Sequence, residues 1–149
     1  MEYSFQIKHF RLLECHFKLN TDFDAQKRKE TYLSGDIQVQ HKTDKNLVTV
    51  VLSINSNNPE QPFIFSVSIQ GVFEFNRTPP TEKLKRIVNI NCASIMFPFL
   101  REAIADLTHR ALLPPVYMQP FNFEAAYNGL LQSQSAETVK RKKIKKKSP

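Results

Sequence analysis

Apolar and polar positions alternate with a period of two through the first half of the chain and switch to a helical period in the second half. Tyr3, Phe5 and Ile7 alternate with Ser4, Gln6 and Lys8, which predicts a long first strand over residues 3–20. The phase slips near His9-Phe10. Phe10 and Leu12 follow on even positions, then Leu13, Cys15 and Phe17 on odd ones, and such slips inside a strand imply a bulge or strong bend. Residues 21–31 are polar and irregular and read as a loop. A second strand is expected over 32–41, with Ile37 and Val39 set between Gln38 and Gln40. Thr43-Asp44-Lys45-Asn46 reads as a hairpin turn. Residues 47–55 form a third strand rich in β-branched side chains. After the turn chemistry of Ser56-Asn57-Asn58-Pro59, a fourth strand spans 62–75. Four strands with short connections predict an antiparallel meander.

Thr78-Pro79-Pro80-Thr81 stops this pattern, and residues 82–90 read as a short helical turn. From about residue 95, Met96, Leu100, Ala103, Ile104, Leu107 and Ala111 fall on one helical stripe. Pro98 should kink that helix or mark its first turn. Leu112-Leu113-Pro114-Pro115 ends it, and the prolines of residues 113–121 favour an extended crossover. Asn122 is a good N-cap for a second helix carrying Phe123, Ala126, Tyr127, Leu130 and Leu131 on one side. The expected architecture is α+β: a four-stranded antiparallel sheet with a long helix, a crossover and a C-terminal helix, all within residues 1–134. Residues 135–149 are expected to be a disordered lysine-rich tail.

Large apolar residues exceed what this layout covers. Strand 47–55 is apolar on both faces, and strand 62–75 begins with Phe63, Ile64 and Phe65 in succession. Two helices cover one face of such a sheet. The remaining apolar area is expected to be buried by another subunit or to hold apolar ligands. The crossover adds Val116, Tyr117, Met118 and Phe121, an adaptable apolar wall.

Charge refines this picture. The net charge is +7, yet seven of the 21 Lys/Arg lie in residues 140–147, leaving 14 to balance the 14 Asp/Glu of the whole chain. The body is therefore neutral, which argues against a basic nucleic-acid-binding face on it but leaves the tail free to touch RNA or an anionic membrane. No apolar run reaches the ~18 residues of a membrane span, and the N-terminal residues lack the pattern of a signal peptide, so a cytoplasmic location is expected. Two cysteines, Cys15 and Cys92, make no disulfide framework. Three separate glycines form no phosphate-binding loop. Cys15 and His16 point to opposite sides of a strand, and no second ligand pair accompanies them, so no metal is expected. Cys92 with His109 would lack an orienting third group, and no enzymatic activity is expected.

The stretch Asn91–Gln134 resembles the SecB family of protein-export chaperones. The motifs are Phe97-Pro98-Phe99-Leu100-Arg101-Glu102, and Pro120-Phe121-Asn122-Phe123-Glu124-Ala125 opening the last helix. Phe5-Gln6-Ile7 and Gln70-Gly71-Val72-Phe73 extend the resemblance back to the first strand. The resemblance implies a dimer of dimers without catalytic residues, cofactor or ATP. Its role would be to hold non-native polypeptides in apolar grooves. It places Leu100, Ile104 and Leu107 at a subunit contact. It places the groove between the last helix, the crossover and the sheet, with Ile37, Val39, Tyr117, Met118, Phe121, Phe123, Tyr127, Leu130 and Leu131 as client-binding positions. Acidic residues on the outer sheet face of this family dock the export motor SecA. Here Glu14 matches one of them, while Lys18 and Ser66 stand at two others. The departure weakens the case for coupling to SecA; service in protein export remains the first reading, and a SecB-like chaperone serving an antitoxin of a toxin–antitoxin system is a second branch. A module that binds nucleic acid or ribosomes through the basic tail is the alternative from another class.

Overall fold

The computed structural model describes residues 2–23, 35–56, 58, 60–113 and 118–147, with the side chains of 139 and 141–147 set aside. It divides into two units, residues 1–119 and 120–149. The first holds strands β1 (Phe5–Leu19), β2 (Asp36–Asp44), β3 (Leu47–Asn55) and β4 (Phe63–Phe75), then α1 (Thr81–Ile87), a π turn (Val88–Cys92) and α2 (Ala93–Arg110). The second holds α3 (Phe123–Lys147).

The sheet is antiparallel, in the order β1-β4-β3-β2. The predicted phase slip in β1 is two register shifts against β4, one between Ile7 and His9 and one between Leu12 and Glu14. Each leaves one residue, Lys8 and then Leu13, without a counterpart, the signature of a bulge. The slips have a purpose visible in the register. They keep Phe5, Ile7, Phe10, Leu12, Cys15, Phe17 and Leu19 on one face, opposite Phe75, Phe73, Gly71, Ile69, Val67, Phe65 and Phe63. Phe10 lies over Gly71, where an added Cβ would come within 2.8 Å of the ring. The glycine therefore seats an aromatic side chain. β2 and β3 join through Lys45-Asn46, a two-residue turn in which Lys45 has φ 54°.

The predicted helical turn at 82–90 and helix from 95 are one run. Leu84, Val88, Cys92, Met96, Leu100, Ile104 and Thr108 recur every fourth residue, and all are buried. On an α-helix that spacing drifts by about 40° per step. The looser π turn takes back part of the drift and keeps the stripe on the sheet. By length and composition alone Thr81–Arg110 suffices to cross a membrane. Its apolar side lies instead against the even positions of β3 and the odd positions of β4, where Val50, Leu52, Ile54, Phe63, Val67 and Phe73 are fully buried. Pro98 sits inside α2 rather than at its first turn. The run ends where Leu112, at φ 59°, adopts the left-handed conformation. Its N–H donates to the His109 carbonyl, and that of Leu113 donates to Thr108, the Schellman pattern.

In the second unit the Ala125 N–H donates to Asn122 Oδ1 at 3.0 Å, so Asn122 is the N-cap the sequence predicts. α3 continues to Lys147, past residue 134, where the expected domain ends. Nine of the residues 135–147 are Ala, Glu, Lys or Arg, which have high helix propensity.

Candidate functional site

The two faces of the sheet differ in chemistry. The outer face carries a polar ladder along its centre. Ser53 and Ser68 share a hydrogen bond of 2.8 Å, Ser66 donates to Asn55, and Arg11 Nε donates to Gln70 at 2.7 Å. Lys8 pairs with Glu74 at 2.6 Å. Leu47 and Ile64 are exposed apolar residues among these groups. The expectation that both faces of the central strands leave broad apolar surface is corrected, because hydroxyls and amides interrupt the outer face.

The surplus apolar area lies instead on the helix-side face, at the edges that the helical run leaves open. On β1, Ile7 is 45%, Leu12 57% and Leu19 42% exposed, and Leu13 at the second bulge is 48% exposed. Cys15 is also exposed. Phe99 of α2 (45% exposed) reaches this edge, with its ring centroid 4.7 Å from that of Phe10. At the opposite edge, Ile37, Val39 and His41 of β2 stand in register with the buried Ile54, Leu52 and Val50, and are themselves half-buried. Burial and, secondarily, the Lys85 ammonium hold the pKa of His41 below its ordinary 6.5.

These placements sort the expected residues. Ile37 and Val39 are accessible on β2 as a client-binding role requires, and Met118 is half-buried. Tyr117 lies outside the described residues. In the second unit, Phe123 and Tyr127 are buried and Phe121, Leu130 and Leu131 are exposed, with the Phe121 and Phe123 rings 4.8 Å apart. Leu100 and Ile104, expected at a subunit contact, are 0% and 1% exposed against their own sheet and so are core residues, while Leu107 is half-buried. An amphipathic stripe reads the same whether it faces its own sheet or a neighbour's. The exposed apolar row of β1 was the set this reasoning missed. The signal was present in the alternation of Ile7, Leu12 and Leu19 on the edge strand.

Glu14, Lys18 and Ser66 all lie on the outer face, with Glu14 opposite Ser68, Lys18 opposite Ile64 and Ser66 opposite His16. The register thus brings these three residues onto one surface, bearing one carboxylate and one ammonium. The thiol of Cys92 is buried, which pushes its pKa up to about 12, and it lies 17 residues from the exposed His109 along one helical run. That is about 25 Å of rise, so the two cannot act as nucleophile and base.

The family model for the preprotein translocase subunit SecB matches residues 13–134. The protein-export protein SecB of Azoarcus sp. is 34% identical over 110 residues, covering 68% of this chain and 70% of that one. Its counterpart in Chromobacterium violaceum is 37% identical over 81 residues, covering 54% and 53%. Among solved structures, the SecB-like chaperone of Mycobacterium tuberculosis, in complex with a peptide from the HigA1 antitoxin, superposes with a TM-score of 0.62. The two are 20% identical, with 78% of this chain and 90% of that one covered. The fold, the motif string from Phe97 to Ala125 and these matches lead to one conclusion: the chain belongs to the SecB family of chaperones.

Proposed function

We propose that this protein is an ATP-independent holdase that binds non-native polypeptides on apolar surface and keeps them unfolded in the cytoplasm. The observation that carries the reading is apolar area left uncovered on the helix-side face of a sheet that belongs to this family. Ile37, Val39 and Met118 in the first unit, and Phe121, Leu130 and Leu131 in the second, present the side chains for clients, with the buried Phe123 and Tyr127 supporting those of the second unit. Burial of client side chains contributes roughly 25 cal/mol per Å² of apolar area. Contacts of this kind are adaptable and weakly sequence-specific.

Self-association is the second part of the proposal. A 15-residue edge strand with exposed Ile7, Leu12 and Leu19 is a template for pairing. A second copy covering β1 and Phe99 satisfies it and gives a dimer, and two dimers complete the tetramer. The half-buried Leu107 lies in the α2 face available to that assembly. The mixed charge at Glu14 and Lys18 favours service to an antitoxin or another dedicated client over docking of the SecA motor.

Suppression of aggregation of a chemically denatured client in the absence of nucleotide tests the holdase. Suppression at equimolar tetramer is the expected result. Unimpeded aggregation at several-fold excess rejects the reading.

A further inference from the structure

The apolar row of β2 ends on charge. Ile37, Val39 and His41 recur at every second residue on the helix-side face, in register with the buried Ile54, Leu52 and Val50. Strand geometry spaces them about 7 Å apart. On α1 the buried Leu84 faces the sheet, and the side chains before and after it leave on opposite sides. Lys83 sets its ammonium over the Tyr3 ring ahead of β1, 4.8 Å from the centroid. Lys85 turns to the β2 edge, where burial and then its ammonium lower the pKa of His41. The imidazole is therefore neutral at pH 7 and keeps one N–H to donate.

Little negative charge balances this corner. Glu82 is the sole acid of α1, and it meets Lys85 at 3.5 Å between exposed side chains. Ion pairs so exposed contribute little, so an incoming carboxylate can displace it. The acids of β2, Asp36 and Asp44, lie on its outer face. The π turn packs on β2 and brings Asn89, whose amide donates to the Lys85 carbonyl, but no charged residue. An extended client repeats its side chains on one side with the spacing of the row. Two alternate apolar side chains seated on Ile37 and Val39 bring the next one on that side to His41 and Lys85. A carboxylate there gains the ammonium and the imidazole N–H. A client ammonium or guanidinium meets like charge.

We propose that the β2 row selects client segments with an Asp or Glu two positions beyond a pair of alternate apolar residues, in either chain direction, and that Lys85 sets this preference. The inference rests on the client-binding role proposed for Ile37 and Val39, and adds to it the charge of the preferred clients.

Fluorescence anisotropy of short labelled peptides with the full-length protein tests it. Each peptide carries Leu at two alternate positions and Glu, Gln or Lys two positions beyond, in both chain orders. In the order that suits the site, the Glu peptide is expected to bind about fivefold tighter than the Gln peptide, the gain of one exposed ion pair. The Lys peptide should bind more weakly than either, and the differences should shrink as salt rises. Lys85→Gln should bring the Glu peptide to the affinity of the Gln peptide, and Lys85→Arg should keep the preference. Glu, Gln and Lys peptides that bind alike in both orders, yet lose binding in Val39→Ser, overturn the charge selection and leave the holdase reading standing. A Glu preference that survives Lys85→Gln overturns the assignment to Lys85. No binding of any peptide, or binding that Val39→Ser leaves intact, removes the β2 client row itself and the inference with it.

Discussion

The two edge strands of the sheet, β1 and β2, answer the same problem in opposite ways. Both offer unpaired backbone groups and both turn apolar residues toward the helical side. β2 is nine residues long, and Asp36, Gln38, Gln40, Lys42 and Asp44 fill its outer face, a polar dressing that discourages strand addition. Its inner row, Ile37, Val39 and His41, is half-buried and continuous with the core. β1 is fifteen residues long, bulged twice, and leaves Ile7, Leu12 and Leu19 open. The bulges spend two residues to hold that apolar row in phase. Under the function proposed above, the long bulged edge suits a fixed complement and the short polar-backed edge transient ones, so that proposal puts assembly at β1 and client contact at β2.

The largest effect is expected at β1. Ile7→Lys with Leu12→Lys places two ammonium groups in the proposed subunit contact. Native mass measurement should then find dimers or monomers in place of the tetramer, and an unchanged tetramer would end the assignment. Val39→Lys should lower aggregation suppression several-fold while the assembly mass stays the same. A change of mass there would merge the two edges into one interface. Next comes Gly71→Ala, whose Cβ meets the Phe10 ring at 2.8 Å. Overpacking of this kind typically costs about 1–3 kcal/mol, readable in denaturant unfolding, and Phe10→Leu in the same chain should restore part of it. The smallest effect belongs to His41. Because its folded pKa lies below the unfolded 6.5, the unfolded chain takes up the proton first as pH falls. Stability is therefore full above pH 6.5 and declines below it, down to the folded value. His41→Gln should flatten that decline in urea titrations at successive pH values.

Much of this fold is legible in the residues. The strand phases, the slip in β1 and the cap at Asn122 follow from local chemistry, because each depends on neighbours in the chain. The union of α1 and α2 does not. Asn89 and Asn91 break the apolar pattern where the π turn lies, and a period of four resembles neither standard template. The helical end of α3 was obscured by like charges, which suggest repulsion where propensity prevails. The candidate site was legible in kind and misplaced in part. Surplus apolar area is a property of composition, whereas its location depends on which strands the helix covers. That is why Leu100 and Ile104 proved to be core and the row on β1 emerged only with the sheet order.

The π turn at Val88–Cys92 is equivalent to one extra residue wound into an otherwise regular rod. Losing that residue would let the rod close into a uniform spiral and rotate everything downstream by about 100°. Leu100 and Ile104 would swing out toward water and Phe99 would leave its seat on Phe10. The reading frame of the helix, more than any single side chain in it, is what this molecule must preserve as its sequence diverges.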